Sequence, residues 1–414
     1  MKKILIVILM LVLAFNELAG QKTVSIQYRR SSLYSILLVD TSQKMCQEII
    51  NSFVELPVPD KFNDHNLCLR YVIATKKQQK GKNLDDNLSD FFKKNNVPKR
   101  LVAKWFDRDK QNGSFDVSTI LKRGFYNASI SDLNAAVHTV RGREILSDAG
   151  EQLIGNTFVI VNNISYVDKE QGAEAAAQAF KVIGSVLGAI GGVGGSIGES
   201  VGNLAQTIAQ TIAGFTVRVN TSLYRLEWND EIASVFYSQY YYDKSSIDKA
   251  KKQAFEDENG LFKLNYVGSV SAISDQTVMR GLYHPKDVFR KVLARAIDKN
   301  IVALQKKFDE FKVVVPIYKL QDNKVMVQIG MKEGVSNSSR YEVLEIVQNE
   351  NGRYTYVRKG VIKPVDKKIW DNRYMAVDEE ADNANLNYTT FEVVSGSDFY
   401  PGMLIREIKY SSGM

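Results

Sequence analysis

Forty consecutive residues, Ala175 to Gly214, carry only two charges, Lys181 and Glu199, and are dominated by Ala, Gly, Ile and Val. A run this apolar restricts the fold more than any other stretch, because it has to be covered by the protein itself, by a membrane or by a partner. Glycines recur at Gly184, Gly188 and Gly192 and again at Gly194, Gly198 and Gly202. Small residues at that spacing let helices approach closely in membranes. Glycine costs roughly 1 kcal/mol relative to alanine at a helix position, so this many of them imply a close-packing or conformational purpose. The expected structure is a helical hairpin, Ala175 to Ala189 and Ile197 to Ala213, turning at Gly191 to Gly195. Two readings stand for it: insertion into a membrane or partner, and packing within the protein or a mobile loop. The turn has no Lys-Ser/Thr after its glycines, which separates it from a phosphate loop.

The N-terminus carries Lys2 and Lys3, an unbroken apolar run from Ile4 to Phe15, and the small residues Ala19 and Gly20 before Gln21. This is the layout of a secretory signal peptide. The apolar run is shorter than the roughly 20 residues that span a bilayer, and no Cys follows the exit to accept a lipid. The expectation is export to the periplasm or outer membrane of a Gram-negative bacterium with residues 1–20 removed. An uncleaved anchor helix is the other reading.

The formal charge of +7 is modest for 414 residues, and the basic cluster Lys76, Lys77, Lys80 and Lys82 has no interleaved aromatics. Nucleic-acid binding calls for a denser basic face; the cluster reads as a solvated loop or helix face, or as a contact to anionic lipid or glycan. Cys46 and Cys68 are the two cysteines. In an oxidising compartment they could form one disulfide, worth roughly 2 to 4 kcal/mol; two buried free thiols are the alternative.

The chain divides by pattern into an N-terminal α+β region over 21–95, an α/β domain over 96–315 with the apolar insert at 175–214, and a β-domain over 316–414. In the first, the strand-like Thr23 to Tyr28 and the apolar Tyr34 to Val39 precede a turn cluster from Pro57 to Asp64 and a Lys- and Asp-rich stretch. In the second, Leu101 to Phe106 reads as a strand, Ser131 caps a helix over Leu133 to Val140, and Glu144 to Ile154 continues helically. Thr157 to Val161 is apolar enough for a strand covered on both faces. Phe215 to Trp228 alternates, and Val235 to Tyr242 reads as a strand paired with it around Asn229 and Asp230. Pro285 opens a helix through Phe311 whose apolar residues recur every three or four positions. In the third, Val325, Val327 and Ile329 alternate, Tyr341 to Val347 and Tyr354 to Val357 flank a turn at Glu350, Asn351 and Gly352, and Phe391 to Val394 begins another strand. The fold class is therefore α+β and multidomain, ending in a small β-barrel or sandwich.

The run from Lys324 to Val335, followed by Tyr341-Glu-Val-Leu, resembles the C-terminal β-domain of the flagellar assembly protein T family. Gly330, Gly334, Val335 and Tyr341 occupy the places of that family's strand-ending glycines and aromatic strand start, and Val394-Ser-Gly with Tyr400-Pro-Gly resembles its closing turn. The middle of the chain, with a strand at Leu101, a helix ending Asp148-Ala-Gly-Glu-Gln-Leu, a strand at Thr157 and a long late helix, looks like the periplasmic α/β domain of CsgG-type curli secretion channels. That resemblance implies an oligomeric outer-membrane pore built from strands donated by each subunit.

No catalytic, cofactor or metal site is expected. His65, His138 and His284 are far apart and in no ligand spacing. Asp64-His65 beside Cys68 reads as a turn, and Asp107, Arg108 and Asp109 before Gly113 read as a solvated turn rather than a ligand-holding strand end. The sequence thus points to an exported envelope protein that assembles or binds without catalysis, its partners being envelope proteins or membrane, or further copies of itself. A CsgG-like channel or secretion accessory subunit and an envelope hydrolase with an unrecognised site are the alternatives.

Overall fold

The computed structural model describes residues 31–74, 84–124, 147, 149–171, 212–279, 281, 284–350, 354–379 and 381–408. The expected signal peptide, the strand at Thr23 to Tyr28, the basic cluster at Lys76 to Lys82, the helix over Leu133 to Val140 and nearly all of the apolar insert lie outside the described residues. What is described is mixed α and β, built on two sheets.

Among the described residues the first sheet has six strands: β1 (Ser31–Val39), β2 (Phe62–Asp64), β3 (Tyr71–Ile73), β4 (Thr157–Asp168), β5 (Ile212–Leu226) and β6 (Leu264–Met279). Its order is β2-β1-β4-β5-β6, with β3 also on β1. β1 runs parallel to β2, β3 and β4, while β4, β5 and β6 are antiparallel in turn. β1 pairs Ser32 with Thr157 and Leu38 with Asn163. Region 21–95 therefore supplies a strand that lies beside β4 in the same sheet. An apolar strand as continuous as Leu33 to Val39 has to be covered on both faces, and only a sheet with helices on either side offers that.

Those helices are α1 (Cys46–Glu55), α2 (Leu84–Lys94), α3 (Val97–Trp105), α4 (Ser118–Gly124), α5 (Asp230–Val235), α6 (Lys249–Asp257) and α7 (Pro285–Lys307). Tyr34, Ile36, Val159, Val161 and Tyr224 point to one face, where α2, α3, α4 and α6 cover them. Leu33, Leu37, Phe158, Ile160, Val217, Val219 and Leu223 point to the other, covered by α1 and α7. Residues two apart share a face, so the alternation in β4 and β5 sets both cores at once. The two-faced reading of Thr157 to Val161 holds.

Two expected strands are helices instead. Leu101 to Phe106 belongs to α3 and the turn after it. Pro98 sits in the first turn of α3, where its missing N–H costs nothing, and Val97, Leu101, Val102 and Trp105 recur at helical spacing and are buried. Val235 to Tyr242 is not a strand paired with β5 either. Asn229 accepts the Ile232 N–H at 2.9 Å and caps α5, which runs into a π-turn over Phe236–Tyr240. The aromatics of this run pack into the core around Phe106 and Phe115. The long helix from Pro285 is as expected, ending at Lys307 with a short 3-10 turn over Asp309–Phe311.

The second sheet comprises β7 (Val314–Pro316), β8 (Lys319–Gln321), β9 (Lys324–Val327), β10 (Tyr341–Gln348), β11 (Tyr354–Pro364), β12 (Thr389–Gly396) and β13 (Leu404–Glu407). Its order, β7-β13-β10-β11-β12-β9-β8, leaves β7 and β8 at opposite ends, so the described strands form an open sheet. β10 and β11 are the expected hairpin partners, with Gln348 opposite Tyr354. One face buries Val325, Val327, Val343, Ile362, Phe391 and Ile405.

The glycines singled out in this region have physical reasons. A Cβ on Gly330 would lie 2.2 Å from the Trp370 carbonyl oxygen, and Gly334 has φ +80°, a left-handed conformation that ends the Met331–Glu333 turn against Val302 of α7.

Candidate functional site

Three features of the described structure bring polar or charged groups together. The first is a cavity of about 40 Å³ where α7 meets β1, the loop after α1, the Met331–Glu333 turn and Tyr374. Its walls are largely apolar, including Leu33, Phe53, Val58, Ile160 and Ile301, and it also takes in Ser35, Arg70, Asp298, Lys332 and Tyr374. Burial pushes the Asp298 carboxyl up to about 6; Lys332 and Arg295 oppose the rise, and Glu333 and Asp60 reinforce it. Lys332 also stands 3.9 Å from Asp60. The space accommodates water but not a metabolite, which takes roughly 300 Å³ or more.

Ser35 begins a buried polar strip beneath α7. Asn162 Nδ2 donates to Ser35 Oγ at 3.2 Å and to the Ile36 carbonyl at 3.3 Å. Thr221 Oγ1 donates to Asn162 Oδ1 at 2.8 Å, and Asn300 Nδ2 donates to Thr221 Oγ1 at 2.8 Å and to the Val219 carbonyl at 2.7 Å. These bonds fix the register of β1, β4, β5 and α7 at one level, because a slipped strand would leave a buried amide unpaired. Asn300 Oδ1 has no hydrogen-bond partner among the described residues.

The second feature surrounds His65, which is fully buried. Its Nε2 lies 2.9 Å from the Leu101 carbonyl, so that nitrogen carries the proton, and Nδ1 faces the Arg123 guanidinium at 3.3 Å. Burial, then the Arg123 charge, hold the imidazole well below its ordinary pKa, and it stays neutral. Arg123 lies 4.0 Å over the Trp105 ring and donates to Ser32 Oγ at 2.8 Å. Trp105 Nε1 donates to Thr157 Oγ1 at 2.8 Å. Both imidazole nitrogens are committed, so the cluster ties α3 and α4 to the starts of β1 and β4 and offers no free base.

The third feature is the base of the apolar insert. β4 ends at Asp168, which pairs with Phe215, and Ile212 pairs with Met279. The chain therefore leaves the sheet and returns to it on adjacent antiparallel strands. A buried lysine clamps this end: Lys169 Nζ is 2.7 Å from Asp275 and 2.6 Å from Thr277 Oγ1, and Thr216 Oγ1 donates to the same Asp275 carboxylate at 2.5 Å.

Of the residues singled out from sequence, Gly184, Gly188, Gly192, Gly194, Gly198, Gly202 and His138 lie outside the described residues. Cys46 and Cys68 are free thiols, the first half-buried at the start of α1 and the second exposed, and not joined as a disulfide. His284 occupies the N-cap position of α7 without a side-chain cap bond. Asp107, Arg108 and Asp109 form a turn: Asp107 accepts from Ser118 and Thr119, and Asp109 accepts the Gln111 and Asn112 N–H groups. No described helix is long and apolar enough to cross a membrane. Compared with protein-family models and with curated proteins, the chain matches none.

Proposed function

We propose that this chain is an exported cell-envelope protein that works by binding and assembly rather than by catalysis, using the Ala175 to Gly214 segment to engage a membrane or an envelope partner. What supports the reading most is where the segment begins and ends. Residues 172–211 connect β4 to its antiparallel neighbour β5; Asp168 pairs with Phe215 across these two strands, and Ile212 pairs with Met279 of β6 at the same end of the sheet. A segment tethered in this way can be presented as a unit without disturbing the core beneath it, and the Lys169–Asp275 clamp braces its base. In this reading the segment is a helical hairpin whose glycine ladders close against each other or a partner, and the second sheet, docked on α7, completes a small β-domain that offers a further contact surface.

The same topology serves the second reading, a subunit of a CsgG-like oligomeric channel. There, β6 matters: it is 16 residues long and lies at the edge of its sheet among the described strands, and an edge strand is a template for pairing with another chain.

Replacing residues 172–211 with a short Gly-Ser turn is the direct experiment, since the flanking strands already pair. In a Gram-negative host, the intact chain stays in the envelope pellet through a carbonate wash and the loop-replaced variant is released, folded, into the soluble fraction. Equal retention of both would overturn the proposal. Rings of defined stoichiometry in detergent extracts of the intact chain would favour the channel reading over a binder.

A further inference from the structure

We infer that the outer face of α3 and the turn after it bind a phosphate-bearing anion. Arg100, Ala103, Lys104 and Asp107 follow one another at i, i+3, i+4 and i+7 and so share one side of the helix and its exit. With Leu67, Arg108 and Lys110 they line an open concavity of about 540 Å³. The small Ala103 leaves room between the flanking long side chains, and the buried Leu67 contributes an apolar part of the lining.

The concavity is lined by four cations and one carboxylate, Asp107, whose charge, with that of Asp64, acts on Lys104. Asp107 accepts from the Ser118 hydroxyl at 3.0 Å and the Thr119 hydroxyl at 2.5 Å. Lys104 donates to a neutral acceptor, the Asn66 carbonyl, at 2.7 Å, so its charge is positioned without being neutralised by that bond. Arg108 is held in place by Glu256 at 3.2 Å and by the Phe255 ring, 4.9 Å from its guanidinium. Arg100 and Lys110 make no side-chain ion pair or hydrogen bond among the described residues. Two cations fixed by the fold, of which Arg108 is already paired with Glu256, and two without a side-chain partner among the described residues, around one hollow, suit an anion with several oxygens, as phosphate and pyrophosphate have. Burial lowers the Lys104 pKa, a cost that a bound anion would offset.

The shared chemistry is the phosphate group, free or carried on an anionic lipid. The test uses the full chain and an Arg100→Gln/Lys110→Gln double variant, whose unchanged circular dichroism and melting temperature would show an intact fold. Pyrophosphate is titrated calorimetrically against sodium chloride at matched ionic strength, and both proteins are floated with phosphatidylglycerol and with phosphatidylcholine vesicles. The inference requires saturable binding of pyrophosphate, of phosphatidylglycerol vesicles, or of both, weakened at least tenfold in the double variant. Pyrophosphate alone identifies a soluble phosphate ligand; phosphatidylglycerol alone identifies a headgroup on a surface. Loss of all binding at matched chloride, or equal binding by both proteins, overturns it.

Discussion

Replacing Asp298 with asparagine isolates one carboxyl whose ionisation works against folding. Asp298 lines the cavity that α7 shares with β1 and Lys332, and burial raises its pKa from 3.8 to about 6. A rise of that size corresponds to roughly 3 kcal/mol between the two protonation states. Asp298 retains partial solvent contact, so screening reduces the realised effect to about 1 to 2 kcal/mol. Its folded pKa lies above its unfolded one, so the native state binds the extra proton between about pH 4 and 6. The stabilisation from this group is full below about pH 4, declines as pH rises through 6 and is absent above it. Lys332 and Arg295 favour the charged form, and Glu333 and Asp60 disfavour it. Urea unfolding of both proteins at pH 4.5, 5.5, 6.5 and 7.5 measures the difference directly, because the other titrating groups cancel. Asp298→Asn should be more stable than the parent protein by about 1 to 2 kcal/mol at pH 7.5 and by only about a third of that at pH 4.5. A variant less stable at pH 7.5 would mean that attraction to Lys332 and Arg295 outweighs the burial cost, and the reasoning would be refuted.

Further expectations follow from the same contacts. Glu379→Gln removes the carboxylate shared by Lys291 and Arg295 of α7; Lys291 is left nearly buried and unpaired, so stability should drop by about 1 to 3 kcal/mol, with hydrogen exchange in residues 371–379 rising first. Gly330→Ala forces a Cβ against the Trp370 carbonyl and should cost about 2 kcal/mol or more, seen as a lower melting temperature. Both cysteines of the native protein should take up iodoacetamide without prior reduction, Cys68 faster than Cys46, in keeping with their exposures; thiols that react only after reduction would contradict the structure.

The sequence made the fold legible where one element's own residues decide its conformation. Pro285 and a stripe recurring through Leu304 specify α7, and alternation from Phe215 onward specifies β5. It misled where an apolar run has two readings. Leu101 to Phe106 looks like a strand in isolation, and only Pro98 and the Val97-Leu101-Val102-Trp105 spacing, read together, give the helix. At Asn229 the same residue type serves a hairpin turn or a helix N-cap, and the Ile232 N–H settles it. The sites were less legible, because their members converge only in the folded chain. Ser35, Asn162, Thr221 and Asn300 are scattered over four elements, and His65 gains its neutral, buried state from Leu101 and Arg123. Region 21–95 could not be assigned from local pattern, since the partner that completes β1 is β4, more than a hundred residues on.

The most direct test of the binding-and-assembly account is the carbonate-washed envelope pellet from cells expressing either the intact chain or the 172–211 replacement. The account predicts the intact chain in the pellet and a folded replacement variant in the supernatant; both proteins in the pellet, in equal proportion, would contradict it.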